Sequence, residues 1–280
     1  MKKVLKGGTV VSGEGCKKAD VLIEDGKIGA VAPEITDEEA EVVDVSGKLL
    51  FPGFIDAHTH FDLHVSGTVT ADNFETGTKA ALSGGTTMII DFATQYKGES
   101  LHKALENWHE KADGNASCDY GFHLAISDWN PDISEELRQI VDEGVTSFKI
   151  YMTYDDMVLD DKSIYQVLKR LKEVGGIAGV HCENKGIIEA LTEEEKAKGH
   201  LTTDAHPKTR PAVVEAEAIS RLLKIADLVH TPVIIVHLSS GAGYQEVKYA
   251  RERGQEVILE TCPQYLILNE SVYSLPDFEG

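Results

Sequence analysis

The sequence predicts a (β/α)8 barrel of the TIM type, preceded by a small N-terminal β-sandwich module. From residue 54 onward, short apolar strands alternate with amphipathic helical stretches, the signature of a parallel sheet. Several strands are unbroken apolar runs, such as Met88-Ile89-Ile90 and Val233-Ile234-Ile235-Val236, as strands covered on both faces should be. Residues able to bind metal recur at the C-terminal ends of these strands, where barrels of this kind place their chemistry. A doubly wound open sheet is the alternative, but no Gly-rich nucleotide loop follows any strand.

Residues 1–51 read as the first part of the β module. Val10-Val11 and Val21-Leu22-Ile23 are strand-like, and Asp25-Gly26 signals a hairpin returning through Ile28 to Val31. The apolar stretches at 42–45 and 48–50 predict a second antiparallel pair around Ser46-Gly47. Pro52-Gly53 opens the barrel, residues 52–280. Its strands are expected at 54–60, 86–93, 120–127, 147–152, 177–183, 233–239 and 256–262. Helical patterns fill 74–82, 100–112, 134–141, 162–174, 211–229 and 242–253, the first stopping at Gly84-Gly85 and the fourth capped by Asp160 or Asp161. Glu193-Glu194-Glu195 and Lys196 read as a solvated helix face. Seven β/α units put the eighth strand beyond the last residue, so the barrel is expected to be C-terminally incomplete, the first part of a longer chain.

Composition narrows the function. With 47 acidic against 27 basic residues and a net charge of −20, the chain lacks the basic clusters that nucleic acid or an anionic membrane would require. Four cysteines, at 16, 118, 182 and 262, form no close pair, which suits reduced thiols in the cytoplasm. No secretory signal and no apolar run of membrane-spanning length is present.

His58 and His60 end the first strand. Residues i and i+2 of an extended chain share a face, so both imidazoles can reach one metal ion. His181 and His237 end the fifth and sixth strands, putting four histidines on one barrel face. Lys149 lies in the otherwise apolar Ser147-Phe148-Lys149-Ile150-Tyr151. A buried unpaired ammonium is costly, so such a lysine finds a partner or loses its proton; as a neutral amine it can take up carbon dioxide to form a carbamate with two metal-binding oxygens. Asp91, at the end of strand two, either orients a ligand or caps the strand. His123 reads as a core residue and His64 as a surface one.

Pro52-Gly53-Phe54-Ile55-Asp56-Ala57-His58-Thr59-His60-Phe61-Asp62, Ser147-Phe148-Lys149, His181-Cys182-Glu183-Asn184 and Cys262-Pro263-Gln264-Tyr265-Leu266 together resemble the dihydropyrimidinase and D-hydantoinase family of the amidohydrolase superfamily. The resemblance runs the length of the chain. It implies two divalent ions, expected to be zinc, bridged by carboxylated Lys149. His58 and His60 would hold one ion, His181 and His237 the other. It also implies that Tyr154 binds substrate and stabilises the oxyanion, and that Leu63, Val65, Tyr151, Met157 and Val158 line the pocket. The implied reaction opens the cyclic amide of a dihydropyrimidine or hydantoin with a metal-bridging hydroxide, giving an N-carbamoyl amino acid. Allantoinase or another cyclic amidase is the alternative within this chemistry, and a non-catalytic scaffold protein the alternative outside it. Phe61-Asp62 after the histidine pair favours an uncharged cyclic diamide over a carboxylate-bearing substrate. A homotetramer is the oligomer implied. The family's strand-eight aspartate is expected beyond this segment; Asp277 lies in a loop and is not taken for it.

Overall fold

A computed structural model describes residues 1–65, 67–276 and 279, which leaves Asp277 outside the described residues. Strands β1 (Lys2–Lys6), β2 (Thr9–Ser12), β3 (Gly15–Lys18), β4 (Asp20–Glu24), β5 (Lys27–Ala32), β6 (Glu41–Asp44) and β7 (Leu49–Leu50) make two small sheets, ordered β5-β4-β1-β6 and β3-β2-β7. The Asp25-Gly26 turn folds β4 onto β5, with Glu24 opposite Lys27. Both turn residues have positive φ, 50° and 79°, as the tight hairpin turn requires. The second expected hairpin does not form: β6 runs parallel to β1 and β7 parallel to β2. Asp44 accepts from the Ser46 amide at 2.9 Å and Val45 N donates to Lys6 O at 2.9 Å, so this turn carries the chain from one sheet to the other.

The barrel strands are β8 (Phe54–Thr59), β11 (Thr86–Thr94), β12 (Asp119–Ala125), β13 (Ser147–Tyr151), β14 (Ile177–His181), β15 (Val233–Ile235) and β16 (Val257–Leu259). A short hairpin, β9 (His64–Val65) and β10 (Thr68–Val69), sits in the loop after β8. The helices are α1 (Phe74–Ser83), α2 (Leu101–Ala112), α3 (Pro131–Asp142), α4 (Asp161–Val174), α5 (Lys185–Ala197), α6 (His206–Thr209), α7 (Ala212–Val229) and α8 (Gly241–Glu252). The seven strands form one sheet in the order β16-β15-β14-β13-β12-β11-β8, every pair parallel. This is the curled sheet of a TIM-type barrel, with β8 and β16 as its edges.

Side chains at the strand-to-helix turns start the helices. Asn73, Ser100, Asn130, Asp160, Asn184 and Ser240 each accept a backbone amide of the first turn, satisfying donors the helix cannot. Asn184 starts α5, of which the sequence pattern shows only the face at residues 193–196. Glu195 on that helix departs from the expected solvated face: it is buried and pairs with Lys198 and His200. Trp108, Leu137, Ile164, Leu168 and Leu222 are fully buried in one apolar cluster with Phe148 and Ile150 of β13. Lys149 and Tyr151, on the opposite face of that strand, are buried too, so both of its faces are covered. No helix among the described residues is long and apolar enough to cross a membrane.

Candidate metal centre

The four histidines meet at the C-terminal end of the sheet. His58 lies on β8 and His60 just past its end, their ring centroids 5.2 Å apart. His181 closes β14. His237 follows β15 by two residues rather than closing it, because the strand is shorter than its apolar run. The His181 and His237 rings are 4.6 Å apart and those of His58 and His237 5.3 Å, so the row of imidazoles crosses from β8 at one edge of the sheet to the ends of β15 and β14 near the other. Burial holds His60 down to about 3 and His237 to about 2, and lowers His181 as well. Neutral imidazole is the form that binds metal.

Lys149 faces the same space from β13. It is fully buried, and burial pulls its pKa down to about 7. Its Nζ has no hydrogen-bond partner and lies 5.0 Å and 5.1 Å from the ring centroids of Phe92 and Tyr151. His60 Nδ1 is likewise buried without a partner. Buried polar atoms in proteins are nearly always hydrogen-bonded, so two orphans in one cluster mark donors awaiting a ligand. Among the described residues, no three His, Cys, Asp or Glu side chains by themselves form a set that would hold an ion.

Carboxylates behind the rings select which nitrogen faces the centre. His58 Nδ1 is 2.7 Å from Glu260 Oε1, leaving Nε2 free. His181 Nε2 is 2.7 Å from Glu183 Oε2, leaving Nδ1 free. Such partners orient metal-binding histidines and fix their tautomers. Glu183 also pairs with Arg210, whose guanidinium lies 5.7 Å from the Tyr154 ring centroid. The Tyr154 ring is 5.0 Å from that of His181, on a backbone turned to φ 70°. Burial raises the Tyr154 pKa, so at neutral pH the phenol keeps its proton and can donate it.

Asp91 settles between its two readings. Its carboxylate accepts from Thr59 Oγ1 at 2.8 Å and Phe61 N at 2.9 Å, on either side of His60, and from Trp108 Nε1 at 2.9 Å. It holds the segment on either side of His60 through the Thr59 hydroxyl and the Phe61 amide. Asp91→Ala strands these donors in a dry site, and we expect a loss of about 3–5 kcal/mol in unfolding free energy. An unfolding free energy from urea titration within ~0.5 kcal/mol of wild type would contradict this anchoring role.

The centre opens into a cavity of about 1190 Å3. Leu63, Val65, Tyr151, Tyr154 and Met157 line it, whereas Val158 does not; Val158 bridges to Tyr151 from behind. Phe61 and Asp62 also stand outside the wall, so Asp62 does not touch a substrate there. Arg210 does line it, but Glu183 already engages the guanidinium. His123 is fixed by Ser147 Oγ and Ala57 O, as a structural residue, and His64 is exposed on β9. Glu183, Arg210 and Glu260 went unrecognised in the sequence, although the strand-end rule that picked out the histidines also reaches Glu183 and Glu260.

Residues 49–273 match the amidohydrolase family. The chain is 45% identical over 282 residues to D-hydantoinase of Geobacillus stearothermophilus, covering 100% of this chain and 60% of that protein. It is 40% identical over 261 residues to dihydropyrimidinase of Rattus norvegicus, covering 91% of this chain and 50% of that one. The crystal structure of dihydropyrimidinase from Brevibacillus agri NCHU1002 superposes with a TM-score of 0.97 at 45% identity, over 100% of this chain and 61% of that one. The chain thus spans about 60% or less of the length of these relatives.

Proposed function

The chain belongs to the amidohydrolase family, beside D-hydantoinases and dihydropyrimidinases, and from that premise we propose that it forms the two-ion part of a cyclic amidohydrolase that opens hydantoins or dihydropyrimidines to N-carbamoyl amino acids. The observation that carries this is Lys149: a buried, unpartnered amine among four histidines. His58 with His60 would hold one divalent ion and His181 with His237 the other. Lys149, as its carbamate, would supply an oxygen to each. When bound, such ions supply an activated water at neutral pH and polarise the carbonyl it attacks.

The remaining steps belong to side chains. Tyr154, a neutral phenol beside His181, donates to the oxygen that gains charge in the transition state. Glu183 and Arg210 hold the His181 and Tyr154 rings in place, and Leu63 and Met157 form apolar wall against the ring substituent. With Arg210 engaged by Glu183, the cavity favours an uncharged ring over a carboxylate. Zinc, a cytoplasmic location, a homotetramer, and a boundary at residues 51 and 52 between module and barrel complete the proposal.

The test is a panel of dihydrouracil, dihydrothymine, hydantoin, allantoin and dihydroorotate given to the intact native protein. We expect opening of hydantoin or dihydrouracil, lost on chelation and restored by Zn(II). Protein carrying two ions per chain that opens none of the five would refute the assignment.

A further inference from the structure

Glu260 stands where the two ends of the sheet meet. It follows β16, one edge strand, by a single residue, yet its Oε1 lies 2.7 Å from Nδ1 of His58 on β8, the other edge, 202 positions earlier. The same oxygen accepts from the backbone N–H of His237 at 2.9 Å. One carboxylate oxygen therefore touches a histidine from each pair.

The Glu260 main chain acts on the same spot. Its N–H donates to Ile235 O at 2.9 Å, and its carbonyl accepts from Leu238 N at 2.8 Å. These bonds bracket Val236-His237, where β15 has stopped pairing and His237 adopts φ 38°. A left-handed backbone in a non-glycine residue costs on the order of 1–3 kcal/mol and persists only when its surroundings enforce it. Here two main-chain bonds and one side-chain bond from a single residue enforce it, turning the His237 ring toward His181.

We propose that Glu260 is a positioning residue for both ion sites: it fixes His58 as the Nδ1–H tautomer, so that Nε2 faces one ion, and it holds the His237 turn that presents that ring to the other. This rests on the two-ion reading above. Glu260 hydrogen-bonds to one histidine of each pair, and that coupling predicts a shared failure. Disturbing Glu260 loosens both ions, whereas a partner of one histidine alone would loosen one.

The test is competition for Zn(II) with a chromophoric chelator, using intact wild type, Glu260→Ala and Glu260→Gln, with the visible spectrum of the Co(II)-loaded proteins as a second readout. Melting of the metal-free forms serves as a folding control. Glu260→Ala should lose ~10–100-fold in affinity at both sites and show an altered Co(II) spectrum, with metal-free melting close to wild type. Glu260→Gln, which keeps an acceptor oxygen but not the charge, should fall between wild type and Glu260→Ala. Wild-type affinity at either site in Glu260→Ala would overturn the proposal. Should that variant fail to fold, wild-type affinity in Glu260→Gln would do so instead. A wild-type protein that takes up fewer than two ions would fail earlier, on the two-ion reading itself, and so is told apart from a failure of Glu260's role.

Discussion

Lys149→Ala is expected to leave the protein unable to retain its pair of ions and without ring-opening activity. With the amine gone, each ion keeps only two histidines from the described residues. Removing even a hydrogen-bond partner of a ligand costs ~10–100-fold in affinity or activity, so removing a shared ligand should exceed ~100-fold. Stability should move differently. Lys149 is fully buried with no hydrogen-bond partner, so alanine relieves a buried amine while opening a cavity, and the two effects oppose each other. The metal-free variant should thus melt near the metal-free wild type, placing the loss in the centre and not in the fold. Metal analysis after dialysis reads the outcome, and a variant that keeps both ions would sink the bridging carbamate.

Tyr154→Phe should lower kcat by ~100–1,000-fold while KM changes only a few-fold, the pattern for a donor that acts on charge developing in the transition state. The ring should stay in place, because its position comes from contacts that phenylalanine retains: the His181 ring at 5.0 Å, the Arg210 guanidinium at 5.7 Å, and the φ 70° turn whose carbonyl accepts from Met157 and Val158. Steady-state kinetics on hydantoin or dihydrouracil decides it. An unchanged kcat would remove Tyr154 from the chemistry.

How much of this was legible in the chain depends on how far each signal reaches. The histidine pair at 58 and 60 follows from strand periodicity alone, and Lys149 announces itself by interrupting an apolar strand. His181 and His237 need the further rule that barrel chemistry gathers at strand ends. Glu260 was harder to see. In a chain with 47 acidic residues a glutamate near a strand end looks solvated, and its meaning lies in a bond to a residue 202 positions away. Arg210 escaped for the same reason, since its partners Glu183 and Tyr154 lie on other segments. The β module misled in a related way. Local turn chemistry found β4–β5, but the parallel pairing of β6 with β1 and β7 with β2 joins distant segments that no turn signal announces. Val158 was placed in the pocket wall by family resemblance, and resemblance in a loop does not tell which side chains reach the cavity.

The row of imidazoles begins on one edge strand of the curled sheet, and its anchoring carboxylate lies just past the other. Fraying of either edge therefore takes the centre apart. If ions bind there as proposed, they bind the fully curled sheet and no frayed form, and by mass action they stabilise it. Chelator and denaturant would then push one shared equilibrium the same way, toward the frayed sheet.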